Sequence, residues 1–273
     1  MKSPYILHAR PEMDDCVLLV GWNEDGGKLG YRVIDFLYRK LACVEFGEIE
    51  LENFFPLGGV PVEEDVAQFP ECKFYYCQSK KLVLFNSSPP AADWYRFLNT
   101  VLDAVQDMCT IKAVYAVGNM ISFAAHTAPR SIIATVNSEE VRASLAGFDV
   151  NRGIDYESPP GQRPTLSNYL MWVAKRRDIP GASFWVPVPF YLISTEDPRG
   201  CVEIVDFFNK KLELGIELTE LNEEVTEQDR RIDKIKQEYP EINDCITRLE
   251  NGLGLSEEQS DKLVEIINKY LGK

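Results

Sequence analysis

The chain has 273 residues, a formal net charge of −14 and a pI near 4.7. A nucleic-acid surface needs clustered Lys and Arg. No basic run occurs here, and no uninterrupted apolar stretch approaches bilayer-spanning length. Neither nucleic acid nor membrane is therefore expected as a partner. The hydrophobic content of 45% and charged content of 26% suit a globular α/β chain with a sizeable core.

The first ten residues, Met1-Lys-Ser-Pro-Tyr-Ile-Leu-His-Ala-Arg10, are too polar for a secretory signal. Seven cysteines, an odd count without paired spacing, do not form a disulfide framework. The expectation is a cytoplasmic protein with reduced thiols, several of them core filler.

In chain order, Val17–Val20 reads as a strand buried on both faces, being short, continuous and β-branched. From Tyr31 the period changes, and Val33, Ile34, Leu37 and Leu41 share one helical face. Residues 43–49 alternate apolar and polar as a strand, and 50–70 read as loop. Residues 73–77 and 82–85 flank a short turn as a hairpin. Asp93 is placed to cap a helix whose apolar stripe includes Phe97, Val101 and Val105.

Ala113–Val117 reads as a buried strand stopped by Gly118, and residues 132–136 as the next. Ser138 then caps a short helix with Glu139 and Glu140 in its first turn. A loop over 147–164 leads to a helix over 166–177. Residues 183–192 are strand-like, with Pro187 and Pro189 pointing to a sheet margin. Val202, Val205, Phe208 and Leu212 mark a further helix. The alternation predicts a three-layer α/β/α domain with a mixed sheet over residues 1–215.

Residues 216–273 differ. Leu218, Leu221, Val225, Gln228, Ile232 and Ile235 begin a heptad-like seam that continues through Leu253, with Gln228 as its polar position. Pro240 divides the seam into two helices, and Ser256 to Gln259 forms a capping box for a last one. Residues 219–273 hold 14 acids against 8 bases, so this is an acidic arm. Its narrow apolar seam needs covering, either by its own domain or by another subunit. In the second case Leu218, Leu221, Val225, Ile232 and Ile235 are the oligomerisation residues, and a coiled coil is expected.

Two loops hold the residue types that could bind a ligand or partner. The first, "GWNEDGGKLG", carries Gly21, Trp22, Gly26, Gly27 and Gly30 between a strand and a helix. It fails the P-loop template, because Gly27 and Lys28 stand where Lys and a hydroxyl are needed. It fails the dinucleotide fingerprint too, because Asp25 replaces the first glycine. Its glycines are expected to serve the turn and a close helix–sheet contact, leaving Trp22 to Asp25 exposed. The second, "GNMISFAAHTAPR", carries Gly118, Asn119, His126, Thr127 and Arg130 beyond a strand's C-terminal end. There His126 and Arg130 read either as a proton carrier and an anion clamp, or as residues tied to local backbone. With two histidines in all and no cysteine pairs, neither a metal nor another cofactor is expected. No catalytic constellation emerges.

Three blocks carry a resemblance. "LLVGWNEDGGKLGYRVIDFLYRKL", "YAVGNMISFAAHTAPR" and "ESPPGQRPTLSNYLMWVAKRRDIPGASFWVPVPFYL" resemble, in order, blocks of the proteasome assembly chaperone type 2 family. The resemblance covers residues 16–215, and the arm is similar to the C-terminal extension of its prokaryotic members. It implies a phosphorylase/hydrolase-like core. Eukaryotic members help assemble the proteasome α-ring, and some archaeal relatives form homo-oligomers that interact with proteasomes.

Two departures are visible. Relatives usually continue His-Thr with Arg-Pro, whereas here Ala128-Pro129 follows and Arg130 is displaced. The chain also ends Tyr270-Leu-Gly-Lys273, without the hydrophobic-Tyr-x tail that docks into proteasomes. The resulting expectation is a non-catalytic, homo-oligomeric interaction protein whose partners are itself and proteasome subunits or another client. The alternative is a nucleoside- or phosphate-binding protein or enzyme that uses the two loops.

Overall fold

The computed structural model describes residues 3–23, 25–55, 62–63, 65–151 and 164–272. Parts of the two expected long loops, 56–61 and 152–163, lie outside these residues, as does Glu24.

The strands are β1 (Tyr5–Leu7), β2 (Asp15–Trp22), β3 (Val44–Ile49), β4 (Val62–Glu63), β5 (Val66–Ala67), β6 (Cys72–Cys77), β7 (Leu82–Ser87), β8 (Thr110–Ser122), β9 (Ile132–Val136), β10 (Val150–Asn151) and β11 (Gly181–Pro189). The helices are α1 (Leu29–Lys40), α2 (Trp94–Gln106), α3 (Glu139–Ser144), α4 (Leu166–Lys175), α5 (Pro198–Lys211), α6 (Thr219–Glu238), α7 (Pro240–Glu250) and α8 (Glu257–Leu271).

Among the described residues nine strands form one mixed sheet in the order β1-β3-β6-β7-β2-β8-β11-β9-β10, while β4 and β5 pair separately. The centre, β7-β2-β8-β11, is parallel. The hairpin β6–β7 and the pair β9–β11 are antiparallel. Helices cover both faces. Leu18 and Val20 pack towards α2 and α4 with Phe85, Phe97 and Leu170, while Leu19 packs towards α1 and α5 with Val33, Leu37 and Phe208. Covering on both sides explains why β2 reads as a continuous apolar run rather than an alternating one.

Some local expectations change. Asp93 stands at the start of α2 in the left-handed region (φ 53), and its side chain makes no cap bond. Ser138 and Ser256 do cap, accepting from the N–H groups of Val141 and Gln259. Gly118 does not stop its strand, because β8 runs on to Ser122. A Cβ at Gly118 would come within 2.9 Å of the Trp185 ring, so the glycine makes room for an aromatic side chain. β11 lies inside the sheet, between β8 and β9. Its two prolines fall past Trp185, beyond which β9 no longer pairs, so their missing N–H groups cost no ladder bond on that side.

The arm folds back on the core. Leu221 joins the α1–α5 cluster, and Ile232 and Ile235 pack with Ala125, Val188, Tyr191 and Leu192 of the core and with Ile246 and Ile267 of α7 and α8. These three seam residues are therefore buried within their own chain, the first of the two coverings expected for the seam. Leu218 and Val225 are half-buried. Gln228, the polar seam position, donates to the carbonyl of Glu196 at 2.7 Å. Among the described residues no helix is long and apolar enough to cross a membrane.

Candidate functional site

Three loops meet beyond the C-terminal ends of β2, β8 and β11. β2 passes into α1 through a single 3₁₀ turn over Gly26–Lys28. A Cβ on Gly21 would lie 2.4 Å from the Gly30 carbonyl oxygen, and one on Gly30 would lie 2.7 Å from the Trp22 nitrogen. Strand and helix backbones thus touch at these two glycines, and no other residue fits there. Gly26 N–H donates to Asn119 Oδ1 (3.0 Å) and Gly27 N–H donates to the Ile193 carbonyl (2.9 Å). The turn is tied to both neighbouring loops, so the two expected loops do converge. Trp22, expected to be exposed, is buried, and its indole N–H donates to Ser167 Oγ at 2.9 Å.

Asp25 sits under this turn. Burial pushes its carboxyl up to about 7, partly offset by nearby backbone N–H groups of Asn119, Gly26 and Gly30. Among the described residues its Oδ2 has no hydrogen-bond partner, and neither do the side-chain oxygens of Asn23 and Asn86 at the ends of β2 and β7. α1 follows β2 on one face of the sheet and α2 follows β7 on the other, so this is a topological switch point. Unpartnered acceptors and a carboxyl gather there, a poor setting for phosphate.

The second loop is inward-looking. Arg130 is 1% exposed and Asp197 wholly buried at the side chain, with Nη2 3.4 Å from the carboxylate. Its remaining bonds go to the carbonyls of Ala125 (3.5 Å) and His126 (3.4 Å). Burial raises the Asp197 carboxyl and the Arg130 charge opposes that rise. Arg130 is therefore a buried partner of Asp197 rather than an open anion clamp.

His126 is equally engaged. Its backbone N–H donates to Tyr191 Oη at 2.6 Å, and its Nδ1 lies 2.9 Å from the same hydroxyl. The direction of the Nδ1–hydroxyl bond follows the tautomer of the ring. Its Nε2 faces Asp229 of α6 at 3.9 Å. Burial draws His126 down to about 4, so the ring is neutral at pH 7. Thr127 donates to Glu250 of α7 at 3.2 Å. His126 and Thr127 are thus where the arm docks, a role with no local signal because Asp229 and Glu250 lie about a hundred residues away.

More arm contacts surround them. Arg32 of α1 bridges Glu196 and Glu224, and Arg199 holds Asp229 at 2.7 Å. A cleft of about 540 Å³ opens beside this joint, lined by Lys28, Arg32, Glu196, Glu223, Glu227 and Arg231 among others. None of the ten expected loop residues lines it. Among the described residues no group of His, Cys, Asp and Glu could hold a metal ion.

The residues that the sequence reading missed are apolar. The β2–β8 register ends at Val20–Ala116, and β9 leaves β11 after Trp185, yet β8 and β11 pair on to Ser122 and Pro189. The last turns of both strands form a projecting two-stranded ribbon. On it Met120, Ile121 and Phe123 are 41%, 57% and 75% exposed, with Phe123 resting on the Phe190 ring at 5.7 Å. The available signal was the apolar character running from Ala113 past Gly118 to Ile121 and Phe123, too long for an ordinary strand.

The sequence matches the model of the PAC2 family over residues 18–236. The chain belongs to the PAC2 family. No curated protein matches it by sequence. Among solved structures it is similar to Rv2714 of Mycobacterium tuberculosis, a protein of unknown function. The TM-score is 0.77 at 20% identity, over 99% of this chain and 96% of that one. It is also similar to the proteasome-assembly chaperone homologue Rv2125 of the same organism, with TM-score 0.67 and 18% identity over 80% and 94% of the two chains. PbaB, an archaeal proteasome activator from Pyrococcus furiosus, gives 0.68 at 19% identity over 85% and 98%. These similarities establish the fold shared by this PAC2 chain and the three proteins.

Proposed function

We propose that this PAC2 protein is a non-catalytic, assembly-chaperone-like protein that acts as a homo-oligomer and binds other proteins through the β8–β11 ribbon. The observation that carries the reading is the exposed Met120–Ile121–Phe123 tip with Phe190 behind it. Contiguous apolar side chains on a projecting element mark an interaction surface rather than a solvated one. The engagement of His126 and Arg130 inside the fold agrees with a non-catalytic role. The family and the names of two similar proteins make proteasome subunits the first partner to test. Seven buried free thiols fit a cytoplasmic protein. The test is light scattering on the purified chain, followed by titration with purified proteasome α subunits. A monomer that binds no α subunit overturns the reading.

The alternative, a nucleoside-binding protein, rests on the oxygens of Asn23, Asp25 and Asn86, which find no partner among the described residues and call for hydrogen-bond donors. Nucleoside hydroxyl and amino groups supply such donors without bringing negative charge to a carboxyl, as phosphate would. Thermal shift with nucleosides and with phosphate separates the two, since a bound ligand raises stability with its excess over Kd.

A further inference from the structure

Cys16 lies at the start of β2 and Cys109 immediately before β8. The register pairs Asp15 with Thr110 and Cys16 with Ile111, so the two central parallel strands begin side by side. Both thiols point into the core layer beneath α2, and their sulfur atoms are 2.9 Å apart although 93 residues separate them in sequence. Cys43 and Cys77 also contact each other, and their sulfurs reach the carbonyls of Leu37 and Leu41, while Cys72 contacts Ser87 Oγ.

We propose that Cys16 and Cys109 are an oxidative modification site, a dithiol that a small peroxide converts to an internal disulfide. Cys109 reacts first. It is 7% exposed against 2% for Cys16, and the hydrogen bond between the thiols draws Cys109 below the usual thiol value while it pushes Cys16 above. The thiolate is the reactive form. Cys109 Sγ attacks one peroxide oxygen, an S–O bond forms, the O–O bond breaks, and the second oxygen leaves as water after taking up a proton. The Cys16 sulfur then attacks the Cys109 sulfenic sulfur, the S–S bond forms, and the S–O bond breaks. The released hydroxide takes the Cys16 proton and leaves as water. The two thiols lose two electrons and the peroxide gains them, giving one disulfide and two waters.

Burial selects the oxidant. A peroxide molecule reaches a sulfur at the rim of the core, whereas the bulk of oxidised glutathione keeps its disulfide away. The bond would join the central strands at the end of the sheet opposite the three converging loops. It would also close a long loop, which restricts the unfolded chain.

The experiment treats the reduced full-length protein with hydrogen peroxide or with oxidised glutathione, alkylates the remaining thiols under denaturing conditions and maps peptides. The expected result with peroxide is a linked Cys16–Cys109 peptide, loss of two hydrogens in mass, reversal by dithiothreitol and a Tm higher by about 5 °C or more. Glutathione disulfide is expected to give little of this product. Cys16→Ser is expected to leave a sulfenic acid at Cys109 that a dimedone probe labels, and Cys109→Ser to leave Cys16 unreacted. The wild-type peptide map needs no variant to fold. Seven alkylatable thiols after peroxide overturn the proposal, as does a linked pair other than Cys16–Cys109.

Discussion

Along α6, Leu221, Ile232 and Ile235 recur at helical spacing and are at most 2% exposed, whereas at the end of β8 Met120, Ile121 and Phe123 stand 41% to 75% exposed. Sequence alone leaves the arm's covering open between its own domain and another subunit, and reads the stretch after Gly118 as a loop. Periodicity identifies which face of an element is apolar. What covers that face depends on partners distant in sequence. The arm finds Ala125, Val188, Tyr191 and Leu192 at the end of its own sheet, while at the tip of the ribbon Phe123 rests on the Phe190 ring and stays largely exposed.

The most severe way to disturb the covered side is to unbalance the loop on which the arm rests. Arg130→Met removes the partner of the wholly buried Asp197 and both carbonyl contacts of Arg130. Stranding one buried charge costs about 3–5 kcal/mol, whereas replacing both members by apolar residues is often close to neutral. Urea unfolding should therefore show a large loss for Arg130→Met and a smaller one for Arg130→Met with Asp197→Leu. Equal losses would mean that the pair is not coupled.

Ile232→Ala addresses the arm directly. The side chain is fully buried, so the change should cost about 2–5 kcal/mol. If Ile232 packs only within its own chain, that loss is the same at low and high protein concentration. A loss that shrinks as concentration rises would return Ile232 to a subunit seam, because association stabilises by mass action.

The docking contact also has a pH signature. His126 titrates near 4 in the folded chain against an ordinary 6.5. Between those values the unfolded chain holds a proton that the native one lacks. The His126 contribution is thus fully present above pH 6.5 and is lost as pH falls towards 4, by up to about 3 kcal/mol. Asp25 acts in the opposite sense. Its carboxyl is raised from 3.8 to about 7, so the native chain keeps a proton that the unfolded one releases, and its destabilising effect fades as pH falls through that window. His126→Gln should then gain stability from pH 7 to 5, while Asp25→Asn should lose it more steeply than the wild type. Denaturation midpoints at several pH values read both slopes.

Much of the fold was legible. Strand β2, the β6–β7 hairpin, the Ser138 and Ser256 caps and the break at Pro240 all follow from short-range patterns. The touching backbones at Gly21 and Gly30 were legible too, since glycines at a strand-to-helix turn have few other uses. The candidate site was much less so. Arg130 meets Asp197 across 67 residues, and His126 meets Tyr191 across 65. No local pattern reports such pairs. Gly118 misled for a different reason: a glycine that admits a neighbouring ring looks the same in sequence as one that ends a strand.

Phe123→Asp has the smallest expected effect on the fold and is the sharpest test of the exposed side. At 75% exposure the ring contributes little to the monomer, so unfolding should shift by no more than about 0.5 kcal/mol. A larger loss would show that the monomer itself relies on the ring. Binding should respond differently, because a carboxylate placed at the centre of an apolar contact must be desolvated without a partner. Self-association measured by light scattering, and any α-subunit binding, should weaken by tenfold or more, about 1.4 kcal/mol. Ile121→Asp should act in the same sense, and Ile232→Ala should leave per-molecule binding unchanged in the fraction that remains folded. If Phe123→Asp leaves both stability and association untouched, the ribbon tip is bare surface. The difference between the two apolar regions would then lie only in burial, with no role in partner choice.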